Sequence, residues 1–253
     1  MIYSRVVGSV RIPNRTSPLR RAGIIAAAVA CGMVAGPATA APLDVGPPTA
    51  TRAWLADILY PVAARSAPSP RAHVKSRLLH YTAYTRRRQT LLVTGSFRQT
   101  NGRRWVRVHL PTRPNGSQGW VPADAVSLST TGLRLHVSIR RRVLEVWRDG
   151  HLTRTIKVAV GAPNTPTSTG LFAVADPVPS NGHLGPYIIV LTAYSRVYTS
   201  FMGGPGVHGI HGWGDPGAFG HAVSNGCIRM DRATVGWLAK IVRPGIPVEI
   251  TPN

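Results

Sequence analysis

Glycine and proline interrupt this chain so often that few stretches are long enough to hold a helix. With 26 Gly and 22 Pro in 253 residues, the apolar residues fall into short β-type runs, of which Trp105 to Leu110 alternates with the two-residue period of a half-buried strand. Leu91 to Val93, Trp105 to Leu110, Leu133 to Val137, Val143 to Trp147, Thr155 to Val160, Leu171 to Ala175, Tyr187 to Thr192 and Ile246 to Ile250 are these runs. Asn101-Gly102, Asn115-Gly116 and Asp149-Gly150 supply turns between them. One notable helix is expected after Asp231, its N-cap, where Val235, Leu238, Ala239 and Val242 recur at helical spacing until Pro244-Gly245. A shorter helix is predicted from Arg52 to Tyr60, stopped by Pro61. The fold class is therefore mainly β. At 43% hydrophobic residues the chain can bury a core.

Residues 1–40 contain five arginines and no acid, then an uncharged run from Ala22 to Ala35 and the small residues Ala38-Thr39-Ala40. That is the layout of a secretory signal peptide cleaved before Ala41, and it predicts a secreted, cell-wall-associated protein. The alternative is a retained N-terminal membrane anchor. Gly32, Gly36 and Pro37 dilute that stretch and leave its apolar part shorter than a span requires.

Charge narrows the partners. Thirty basic residues face nine acidic ones for a net +21, and removing the five leader arginines leaves +16. A field of that sign attracts polyanions. It excludes an acidic solvating protein. For an exported chain the expected partners are anionic cell-wall polymers; no nucleic-acid recognition motif is present.

Composition then divides the mature chain. Residues 41–72 are rich in Pro and Ala and read as a linker, with Ser66-Ala67-Pro68-Ser69-Pro70 kept extended. About five short strands over 73–128 suggest a small barrel. Residues 133–253 form a second, mostly β domain carrying the notable helix.

Cys227 is the one thiol left after the leader, so no disulfide framework supports this chain. A lone Cys is either a buried small hydrophobe or a nucleophile. Its neighbourhood, Val207 to Met230, holds His208, His211, His221 and six glycines. A free thiol near pKa ~8.5 is only a few per cent thiolate at pH 7. Lowering that pKa by about two units, or giving the proton to a nearby imidazole, would make it reactive. His208, His211, His221 and Cys227 also offer four zinc ligands, but their spacing matches no common zinc module. A papain-like hydrolase would place Cys before His, the reverse of the order here.

Two resemblances follow from these residues. Trp105-Val106-Arg107-Val108, a turn, then Gly119-Trp120-Val121 resembles a bacterial Src-homology-3-like domain over 73–128. Ile210-His211-Gly212, Phe219-Gly220 and Ser224-Asn225-Gly226-Cys227-Ile228-Arg229-Met230, with sixteen residues from His211 to Cys227, closely resemble the L,D-transpeptidase (YkuD) family. Asp149-Gly150, Val160-Gly161 and Thr165 to Phe172 look like its upstream landmarks, so this resemblance covers Leu133 to Ile250.

The second resemblance implies a β-sandwich-type domain that needs no cofactor and no metal. It assigns Cys227 as nucleophile and His211 as general base and acid. The oxyanion would be held on the Ser224-Asn225-Gly226 loop, by the N–H groups of Gly226 and Cys227, with Arg229, His208 and Trp213 toward substrate. The implied reaction attacks the third residue of a peptidoglycan stem peptide, releases the terminal D-alanine, and passes the thioester to a neighbouring stem amine. Carbapenem-type inhibitors are expected to acylate the same sulfur. The alternatives are an L,D-carboxypeptidase, which transfers to water, and a non-catalytic wall-binding protein. Two departures stand out: Asn225 occupies a position where many members have His, and Trp213 one where a small hydroxylated residue is common. A backbone carbonyl is therefore the expected orienting partner of His211.

Overall fold

The computed structural model describes residues 45–253 apart from Met202; the expected leader over 1–40 lies outside the described residues. Seven strands form the first sheet: β1 (Ala53–Ile58), β2 (Val62–Arg65), β3 (Val74–Leu78), β4 (Thr90–Arg98), β5 (Arg104–His109), β6 (Gln118–Pro122) and β7 (Val126–Thr131). Their order is β3-β2-β6-β5-β4-β1-β7, a barrel-like and only partly closed arrangement. Trp105 and Gly119 fall on the antiparallel neighbours β5 and β6, and Gly102 and Gly116 take the positive φ values, 83° and 80°, that the expected turns require.

Two expectations for 41–72 are corrected here. The stretch predicted to be a helix from Arg52 to Tyr60 is strand β1, paired antiparallel with both β4 and β7. Its two faces enter two different cores. Ala53 and Leu55 pack in the core shared with Leu135, Phe172 and Val248, while Ala56 and Ile58 pack in the core of the first sheet with Val93 and Val106. A helix here would forfeit two ladders of backbone hydrogen bonds and one of those buried faces, so tertiary pairing overrides a local preference for helix. The supposed linker likewise belongs to the sheet, because β1 and β2 lie within it. Ser66 to Ala72 is the compact connection from β2 to β3, closed by Ser66 N–H donating to His73 O at 2.9 Å and Ala72 N–H to Ser69 O at 3.1 Å.

The second unit of strands opens with the hairpin β8 (Leu133–Ser138), β9 (Val143–Arg148) and β10 (His151–Lys157). Asp149 and Gly150, at φ 51° and 85°, make the β9–β10 turn. There follow β11 (Val160–Gly161), β12 (Gly170–Pro179), β13 (Tyr187–Tyr194), β14 (Val207–Gly212), β15 (Ala222–Ser224), β16 (Ile228–Met230), helix α1 (Arg232–Ile241) and β17 (Pro247–Thr251). Eight of these strands pair in the order β10-β9-β8-β17-β12-β13-β14-β16, and β11 pairs with β15. The mainly β class with one α-helix is thus what the described residues adopt. Asp231 caps α1 as expected, its carboxylate accepting from Thr234 N–H at 2.8 Å. Val235, Leu238 and Ala239 form the buried face that α1 lays on β14 and β13.

The two sheets share a core in which Leu55 and Leu92 of the first pack among Leu135, Phe172, Ile210 and Val248 of the second. Polar ties cross the same boundary. Buried Asp176 on β12 accepts from Thr85 N–H at 2.9 Å and Thr85 Oγ1 at 2.7 Å, and His109 Nε2–H donates to Leu171 O at 3.0 Å.

Candidate active site

Parallel pairing of β14 with β16 builds the site. The register sets Ile210 opposite Ile228, His211 opposite Arg229 and Gly212 opposite Met230. Ile210, Ile228 and Met230 are fully buried, so the alternating residues His211 and Arg229 share the other face. Cys227 lies two residues before Arg229 and therefore faces the same way. A cavity of about 250 Å³ is lined by Cys227, His211, Arg229, His208, Trp213 and Asn225, among others. The sulfur and the imidazole sixteen positions upstream thus open onto one small space.

His211 is buried, and its Nδ1–H donates to the carbonyl of Gly212 at 2.8 Å. That bond fixes the tautomer and leaves the Nε2 lone pair unprotonated. The orienting partner is a backbone carbonyl, as the missing hydroxyl at Trp213 implied. Burial lowers the His211 pKa below the ordinary histidine value. The Gly212 bond opposes this, and the charge of Arg229 and the neighbouring His183 add to it. The imidazole is therefore neutral at pH 7.

Cys227 is the one free cysteine among the described residues and is half-buried. Burial pushes its thiol above the ordinary cysteine value, against the opposing pull of a hydrogen bond from Gly209 and the charge of Arg229. A resting thiolate from a lowered pKa, one of the two activation routes read from the sequence, is thus not what this environment produces. The pair rests as neutral thiol and neutral imidazole, and both shifts make proton transfer to His211 uphill at rest, so that transfer must accompany bond formation by the sulfur.

The loop before the cysteine is held internally. Ser224 Oγ donates to Cys227 O at 2.5 Å and accepts from Gly226 N–H at 3.1 Å. This corrects the expected oxyanion pair. The Gly226 N–H is engaged by Ser224, whereas the Cys227 N–H has no partner among the described residues. Asn225 is exposed at the cavity wall. Gly226 adopts φ 108°, and a Cβ there would lie 2.4 Å from His208 Cε1, so only glycine fits.

His208, expected toward substrate, does line the cavity but is almost wholly buried. It is 1% exposed, and its Nε2 accepts from Ser168 N–H at 3.2 Å with Ser168 Oγ also at 3.2 Å. It supports the cysteine loop from behind. Burial, helped by the charge of Arg113, lowers its pKa to about 4. An unfolded chain protonates this ring near pH 6.5, but the folded one does so only near pH 4. Its contribution to stability is full above about pH 6.5 and is lost as pH falls toward 4, by up to about 3 kcal/mol. Urea unfolding at pH 7.5 and pH 4 should show that drop, and His208→Asn should shrink it. An equal drop in the variant would remove His208 as its source.

Arg229 spans the remaining wall. Its guanidinium carbon lies 3.8 Å from the Trp213 ring centroid, and its Nε is buried without a partner. Trp213 in turn meets the rings of His211 and His183 edge-on at 6.1 and 5.9 Å. His221 lies elsewhere, in an open groove that shares only Trp213 and Arg229 with the cavity. Among the described residues no group of three or more His, Cys, Asp or Glu side chains is placed to hold a metal.

Sequence reasoning missed a supporting pair. Thr165 Oγ1 donates to Ser224 O at 2.9 Å, and Thr167 Oγ1 donates to Gly226 O at 2.8 Å while accepting from Gly161 N–H. Both lie in the Thr165-to-Phe172 stretch whose pattern was visible but whose role was not.

The family model described as the L,D-transpeptidase catalytic domain, YkuD, matches residues 132–250. The YkuD protein of Bacillus licheniformis is 36% identical over 123 residues, covering 49% of this chain and 68% of that protein. The YkuD protein of Bacillus subtilis is 33% identical over 121 residues, covering 48% and 67%. Among solved structures, an L,D-transpeptidase from Mycobacterium smegmatis aligns at 18% identity and a TM-score of 0.38, covering 59% of this chain and 90% of that one. On the strength of the two Bacillus relatives, the chain belongs to the YkuD family of L,D-transpeptidases.

Proposed function

We propose that this protein is an exported cysteine transpeptidase that cross-links peptidoglycan stem peptides through a thioester on Cys227. The observation that carries the reading is the shared cavity of Cys227 and His211 on one face of β14 and β16. In the first half-reaction His211 Nε2 takes the thiol proton as sulfur attacks the carbonyl of the third stem residue. The Cys227 N–H is the donor left for the oxyanion. The imidazolium then gives its proton to the departing amine of the terminal D-alanine, leaving the thioester. In the second half-reaction the amine of a neighbouring stem attacks the thioester, His211 takes its proton, and the returning sulfur recovers it. The cross-link joins the third residues of two stems.

Arg229 would hold an anionic carboxylate of the stem, its charge already facing the cavity and its Nε without a protein partner. Trp213 fixes the guanidinium from the other side. The basic mature chain and the first sheet, taken as a Src-homology-3-like module, would hold the enzyme against anionic wall polymers outside the cell. Carbapenem-type β-lactams would acylate Cys227 as the stem does.

Incubating the protein with purified tetrapeptide stems and reading the products by mass tests this. Loss of D-alanine together with a cross-linked dimer is expected. Loss of D-alanine with water as the only acceptor would make the protein an L,D-carboxypeptidase. No product, with salt-sensitive retention on isolated walls, would make it a binding protein.

A further inference from the structure

Residues 195–206 join β13 to β14 and bring Phe201 to the wall of the Cys227 cavity, beside Val207 at the start of β14. The loop is drawn together at its base, where Ser195 N–H donates to Gly206 O at 2.8 Å. Phe201 and Gly204 exchange both backbone hydrogen bonds at its tip, and the Tyr198 and Phe201 rings lie 5.1 Å apart. The charged group that grips this loop comes from the first sheet.

In the β5–β6 connection, Arg113 Nη1 donates to Ser195 O at 2.7 Å, and its Nη2 donates to Tyr198 O at 2.9 Å and Pro205 O at 3.2 Å. The guanidinium also lies 4.7 Å from the Tyr194 ring centroid. Two residues on, Asn115 pairs with the backbone of Tyr194 in both senses, Nδ2 donating to its O and Oδ1 accepting from its N–H, each at 2.8 Å. Tyr194 OH returns a bond to Pro111 O at 2.8 Å. Gly206, at φ 68°, leaves the room this needs, since a Cβ there would come within 2.2 Å of Tyr198 O and 3.2 Å of Arg113 Nη2. One planar fork thus ties three carbonyls spread along the loop, a geometry that a lysine ammonium cannot reproduce.

We propose that Arg113 and Asn115 are positioning residues through which the first sheet shapes the loop walling the Cys227 cavity and so helps select its substrate. That the selected substrate is a stem peptide rests on the transpeptidase reading above. The brace itself does not.

The full mature chain and its Arg113→Ala, Arg113→Lys and Asn115→Ala variants test this by two readouts. Amide hydrogen exchange over 195–206 should accelerate about tenfold or more in Arg113→Ala, less in Asn115→Ala. The KM for a tetrapeptide stem should rise about tenfold while kcat changes much less, with partial recovery in Arg113→Lys. Alkylation of Cys227 by iodoacetamide, small enough to need no shaped wall, should stay within about twofold. Normal exchange in a folded Arg113→Ala, or normal KM in that variant, overturns the proposal. If Arg113→Ala fails to fold, Asn115→Ala decides by the same readouts. If the wild type turns over no stem peptide, the transpeptidase reading fails, and the exchange pattern still judges the brace.

Discussion

Cys227→Ala is expected to abolish acyl-enzyme formation with a tetrapeptide stem or a carbapenem, a loss of at least about 10⁴-fold, while the protein stays folded. The fold should survive because the loop does not depend on the sulfur. Ser224 bonds the carbonyl of Cys227 rather than its side chain, and Thr165 and Thr167 hold the carbonyls of Ser224 and Gly226. What alanine removes is a half-buried thiol to which none of these loop bonds is made. Intact-protein mass spectrometry reads the outcome directly. An adduct that persists on the alanine variant would reject Cys227 as the nucleophile.

His211→Gln should cost about 10²- to 10⁴-fold in acylation at pH 7 and, more tellingly, change the shape of the pH profile. Wild-type acylation needs neutral imidazole and an available thiol proton. Because burial lowers the His211 pKa and raises that of Cys227, the wild-type rate should be level through neutrality and fall only on the acid side of pH 6.5. Without the imidazole the only route is direct ionisation of a thiol that resists it. The variant's rate should then climb about tenfold per pH unit toward alkaline pH. A variant with a level profile and a rate within tenfold of wild type would show that His211 is not the base.

Legibility in the sequence tracked how local each cause was. Helix α1 was readable because its cap, its buried stripe and its Pro244-Gly245 ending all lie within fifteen residues. The hairpin turn at Asp149-Gly150 was readable for the same reason. Strand β1 was not, since what makes Ala53–Ile58 a strand is pairing with distant residues, Leu55 facing Leu92 on one side and Ser129 on the other. The site divides likewise. His211 and Cys227 were legible from their motif, but the direction of the thiol shift depends on burial that no local pattern encodes. His208 was expected toward substrate from the family resemblance, but no local pattern shows that Ser168, forty positions earlier, holds its Nε2 at the cavity wall. The Gly226 N–H looked available until the Ser224 side chain was placed on it.

A thiol that burial keeps protonated at rest has a bearing on durability. Peroxides and disulfides attack the thiolate far faster than the thiol, so the resting neutrality of Cys227 slows its conversion to sulfenic acid and beyond. On the proposed transpeptidase reading, nucleophilicity would then emerge only as a bound carbonyl is attacked.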